Sequence, residues 1–162
     1  MLEEFAGLPA HTLLVHAAVV FVPLLALLAV AYALLPVIRP HTRWVLGVLA
    51  VAAPIAALLA KLSGDAFFDR LDAADRITAG FYPVIEEHQR LGNLTLISTI
   101  VLGVLTLALV FFVRPRAAHG AAGRQRWLLL GLRVLIVVAA AITLFYVIRT
   151  GDSGARAVWE GY

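Results

Sequence analysis

Five histidines occur in the 162-residue chain, and three of them stand where chemistry is conceivable. His16 lies inside an apolar run, where an ionisable side chain is rare and is a functional candidate by default. His11 stands just before that run. His88 heads a later stripe in which Gly92, Thr95 and Thr99 follow at helical spacing, so it shares a face with small and hydroxyl residues suited to a helix–helix interface. Such imidazoles suit two kinds of cofactor. A b-type haem needs axial imidazole and an apolar slot, and His16 and His88 are the candidates to hold it. A transition-metal ion takes imidazole with carboxylate for charge compensation, and the candidates are His11, His16, His88 and Asp152. In either case His11 and Asp152 are further ligands or the groups that orient them. In the plain alternative His16 satisfies a carbonyl or hydroxyl on another helix and His88 pairs with an acid. His41 and His119 lie among arginines and add to the charge there.

Much other chemistry is excluded. There is no cysteine, which removes disulfides, thiolate metal sites and covalent c-type haem attachment. The single lysine, Lys61, leaves little room for amine chemistry. No Ser/His/Asp nucleophile signature, phosphate loop or H-E-x-x-H motif is present.

The elements that position the histidines follow from composition. Hydrophobic residues make up 62% of the chain and charged ones only 14%. Mean hydropathy is +0.95. A soluble domain of this size cannot hide so much apolar surface, so the solvent is a bilayer. Four runs are long enough to cross one, at about 12–35, 44–63, 93–113 and 127–149. The reading is an all-α integral membrane protein, a single 1–162 domain built as an up-down four-helix transmembrane bundle with a short outer amphipathic helix. That short helix is expected after a break at Ser63-Gly64, with Asp65 as its N-cap, Phe67, Phe68, Leu71, Ala74 and Ile77 on one arc, and Gly80 as its end. Pro83 is placed for the first turn of the third helix. Pro23 and Pro54 fall mid-span and free the carbonyls of Val19 and Ala50, which need partners in a membrane. Hydroxyls of the third helix are one source, and close packing at Gly103 and Gly131 the simpler use of these residues. The segment 114–126 reads as a mobile connection. No repeat with convincing residue identity is visible.

The charges carry an orientation. Arg39 and Arg43 lie between the first two runs, and Arg114, Arg116, Arg124 and Arg126 between the last two; neither segment holds an acid. All ten acids lie in the other three segments. By the positive-inside rule both basic loops are cytoplasmic and both termini are outside. The net charge of +3 is then a topology signal, and no nucleic acid is expected as a partner. Glu3 and Glu4 stand where a signal peptide would be basic, so the first run is expected to be retained.

At these positions the chain resembles the bacterial four-helix membrane family catalogued as domain of unknown function 2231. The resemblance rests on Gly7-Leu8-Pro9-Ala10-His11-Thr12-Leu13-Leu14-Val15-His16, on Ser63-Gly64 with Glu87-His88 and Gly92, and on Thr150-Gly151-Asp152-Ser153-Gly154 with Trp159. It departs from the common pattern at Thr12, where proline is frequent, and at Asp152, where histidine is frequent. The resemblance implies a membrane redox context, since similar domains occur fused to Rieske-type or cytochrome-type modules. The expected function is therefore a membrane redox protein that binds b-type haem or a metal near the outer face. It would act with a membrane redox partner protein in the lipid bilayer, and its state as monomer or oligomer is open. The alternative is a non-catalytic accessory or scaffold subunit. A small transporter component is disfavoured by the lack of a repeated pair of broken helices.

Overall fold

The computed structural model describes residues 4–5, 8–112 and 123–159. Two-residue strands β1 (Glu4–Phe5) and β2 (Leu8–Pro9) pair antiparallel, Glu4 opposite Pro9 and Phe5 opposite Leu8. Four helices follow: α1 (Ala10–Leu34), α2 (Arg39–Ala73), α3 (Tyr82–Phe112) and α4 (Gly123–Trp159). Short 3-10 turns at Pro36–Ile38 and Ala79–Phe81 introduce α2 and α3. All four helices are long and apolar enough to cross a membrane, and together they form an all-α membrane bundle. Residues 113–122, on which the expected mobile connection falls, lie outside the described residues.

The helices form a ring. α1 packs on α2 and α4, α3 packs on the same two, and α1 faces α3 across the diagonal. The alternating chain direction puts His11 and His88 at one end of the bundle, the histidine end. Arg39 and the start of α4 form the other, the arginine end.

Residue size decides which faces meet. In α2 the buried positions Leu46, Ala50, Ala53, Ala57 and Ala60 follow spacings of four and three and line the interior with small side chains. α3 contributes Thr95, Thr99, Leu102, Thr106 and Leu109, and α4 contributes Ile136, Ala140, Thr143 and Val147. Bulky aliphatics such as Leu27, Val48, Val104 and Ile148 face outward. In lipid a leucine gains nothing by leaving the surface, and small residues let backbones approach, so α2 turns its alanines and α3 and α4 their threonines inward beside a few large aliphatics.

Gly103 shows how close that approach is. A Cβ there would lie 2.6 Å from the Ala50 carbonyl oxygen and 3.2 Å from Pro54 Cγ. Ala50 is the carbonyl that Pro54 frees, and it is met by the bare backbone of α3 rather than by a hydroxyl. Ser98 and Thr99 instead donate to Thr95 O, and Thr143 to Ala139 O, each within its own helix. Gly131 has open space about it and takes no part in packing.

The amphipathic stretch after Ser63 is helical, but it is not a separate element. α2 runs through Ser63-Gly64 without a break and ends at Ala73. Asp75 takes the left-handed conformation (φ 52°), Asp75 N donates to Asp72 O and Arg76 N to Leu71 O. Those bonds close the helix, with an aspartate in the position glycine usually holds, and Gly80 lies beyond in the 3-10 turn.

Candidate functional site

His11 is the second residue of α1, and its ring reaches across to α2. Nδ1 lies 3.0 Å from Ala60 O and 3.2 Å from Ser63 Oγ. Ser63 Oγ donates its proton to Ala60 O at 2.9 Å, so toward His11 it can only accept. A carbonyl also only accepts. Nδ1 therefore carries the proton, and Nε2 is the free nitrogen. The ring stacks on Phe67, with centroids 6.4 Å apart and planes at 15°, and the Arg70 guanidinium covers the same phenyl ring. A Cβ on Gly64 would come within 3.0 Å of His11 Cε1, so glycine is what lets the imidazole lie against α2.

The other half of the bundle repeats this arrangement. His88, two turns into α3, reaches across to α4, and its Nδ1 lies 2.9 Å from Ser153 Oγ. Ser153 donates to Thr150 O, three residues back, at 2.9 Å, as Ser63 does to Ala60 O. His88 again must donate from Nδ1 and keep Nε2 free. A Cβ on the next residue, Gly154, would lie 2.9 Å from His88 Cε1. Each helix pair thus carries one histidine seated on a Ser-Gly step, with its ring nitrogen held by the same set of oxygens. The two imidazoles lie within electrostatic reach of each other. Below His88, Thr95 bonds Thr150 of α4 through their hydroxyls at 2.8 Å. The stripe that His88 heads therefore faces the bundle interior, as its spacing indicates.

His16 takes a different place. Five residues at 100° each turn it about 140° from His11, so the two cannot share a face. Its neighbours on that face, Val20 and Leu27, are exposed, and so is His16, whose Nδ1 turns back to Thr12 O at 2.5 Å. The meeting of His16 with His88 that the sequence suggested does not occur, and His11 takes that position. Asp65 is paired with Lys61 on its own helix, and Asp152 with Arg156 at 3.1 Å. Asp65 still lies within electrostatic reach of His11. Asp152 instead lines an open groove of about 540 Å³ behind Ser153, with Phe81, Val84, Glu87 and Arg149. Among the described residues no group of three or more His, Cys, Asp or Glu is arranged to hold a metal ion.

Sequence reasoning named His11, His88, Ser63-Gly64 and Ser153-Gly154 but did not pair them. The decisive residues are the serines, whose signal was a Ser-Gly step occurring at the histidine end of both α2 and α4.

The comparison with known families falls on the same ground. The DUF2231 family, described as predicted membrane proteins, matches residues 7–162. The chain belongs to the DUF2231 family. The match takes in both histidines and both Ser-Gly steps. No curated protein and no solved structure shows a significant match.

Proposed function

We propose that the histidine end is a paired-imidazole centre for a b-type haem or a transition-metal ion, and that the protein serves membrane redox chemistry with a partner protein. One observation carries this reading. Two imidazoles on diagonal helices are each fixed through Nδ1–H to oxygen, and each keeps Nε2 free. A hydrogen bond from the far ring nitrogen to a carbonyl is the usual way a ligating histidine is oriented and made more basic. The number of donors favours haem. A bare zinc-like ion asks for three or four protein ligands. A porphyrin brings four nitrogens of its own and needs only axial imidazole, with no cysteine. When bound, the haem would supply one-electron transfer. The protein's part is to hold His11 and His88 against Gly64 and Gly154, fix their tautomers through Ser63 and Ser153, and exclude water with the apolar helix faces below.

The orientation belongs to the same proposal. The arginine end lies in the cytoplasm by the positive-inside rule, and the histidine end and both termini lie outside a bacterial inner membrane.

The experiment is to purify the protein in mild detergent from a haem-replete host and record its visible spectrum and metal content. A Soret band is expected, lost in His11→Ala and in His88→Ala and kept in His16→Ala. A colourless, metal-free protein would overturn the cofactor reading. The two His–Ser bonds would then be helix fasteners in an accessory or scaffold subunit.

A further inference from the structure

The arginine end holds two cations that nothing at the histidine end uses. Arg39 opens α2 and is only 5% exposed. Its Nε donates to Tyr32 O and its Nη2 to Ala33 O, both at 2.9 Å, and the guanidinium lies over the Tyr32 ring. Those carbonyls are among the orphans at the end of α1, so Arg39 caps that helix. Its charge is balanced by backbone dipoles and a ring, not by a carboxylate.

Arg133 stands about 15 Å along α4 from its first residue, at 1.5 Å per residue. It is half-buried and lies within electrostatic reach of Arg39. Its Nε is buried and has no hydrogen-bond partner among the described residues. Every acid among the described residues lies at the opposite end, so no protein carboxylate among them can approach. Arg133 also lines a groove of about 290 Å³ between α1 and α4 whose other walls are apolar, among them Ala33, Leu34, Leu130, Val134 and Val138. Leu34, Leu130 and Val134 are exposed on the lateral surface of the bundle, so the groove opens toward the acyl chains.

A buried cationic donor without a partner, beside a second cation and facing hydrocarbon, calls for an anion that arrives from the membrane. We propose that an acidic phospholipid of the leaflet at the arginine end binds here. Its phosphate accepts from Arg133 in the positive potential of Arg39, and an acyl chain lies in the α1–α4 groove. Basic pockets between transmembrane helices are suited to such headgroups.

The test uses the whole protein in detergent, with dioleoylphosphatidylglycerol, dioleoylphosphatidylcholine or inorganic phosphate added in separate arms. Native mass spectrometry counts retained lipid, and thermal unfolding reports the stabilisation. Phosphatidylglycerol alone is expected to be retained and to raise the midpoint. Arg133→Gln should weaken its binding on the order of tenfold or more, the loss expected for a charge-assisted contact. Arg43→Gln, at the same end but outside the groove, should retain it. Val138→Trp fills the groove without removing a charge, and should also lower retention; it keeps the test decisive if Arg133→Gln fails to fold. Equal retention by wild type and both groove variants would overturn the proposal. So would equal stabilisation by phosphatidylcholine, or by inorganic phosphate alone.

Discussion

At the scale of single residues, the histidines are placed by what lies beneath them. Gly64 and Gly154 let the rings rest at these distances, because a methyl group there would enter the van der Waals shell of an imidazole already fixed at Nδ1. Gly154→Ala should therefore push His88 off Ser153 and destabilise the protein by about 1–3 kcal/mol, the usual cost of overpacking. Gly151→Ala, on the same helix with nothing within 4 Å of its Cβ, should stabilise by up to about 1 kcal/mol through helix propensity alone. Thermal unfolding of the two variants in one detergent gives the comparison, and shifts of the same sign would refute the seating described for His88. The position of His16 was misread from sequence because an apolar α1 carries almost no amphipathic signal. With bulky residues on both arcs, periodicity cannot say which side faces in.

At the scale of elements, the ring of helices was legible because its signal is length and apolarity, which a bilayer demands and a loop cannot imitate. Helix ends were less legible. The Ser63-Gly64 step reads as a break, yet it serves a neighbouring imidazole, while the true end is an aspartate in a glycine-like conformation. Replacing Asp75 with glycine should relieve that conformation and stabilise the fold by about 0.5–1 kcal/mol, measured by chemical or thermal unfolding. The α2–α3 contact gives a sharper expectation. Gly103→Ala meets backbone oxygen at 2.6 Å, which no side-chain rotation can relieve, and should cost at least about 1–3 kcal/mol. Gly92→Ala, earlier on α3 and in open space, is the control and should stabilise by up to about 1 kcal/mol, as Gly151→Ala does.

At the scale of the whole molecule, the two ends differ in kind. One gathers the acids of the described residues and the two anchored histidines; the other gathers arginines with no acid among the described residues. The chain has no native cysteine, so orientation can be read directly. Cysteines at Asp72 and at His41, both exposed and at opposite ends, should label from opposite sides of the membrane. Labelling of both from one side would refute the up-down crossing. The repeated histidine seat escaped sequence comparison because its partners are unequally spaced, 52 residues apart in the first half and 65 in the second. That inequality has a genetic consequence. Each half encodes a hairpin with its own histidine and its own serine, and the hairpins pack on each other through α2–α3 and α1–α4. The gene should therefore tolerate being cut in the turn at 74–78. Two polypeptides made separately in one cell should find each other in the plane of the bilayer and copurify, as the subunits of a heterodimer would.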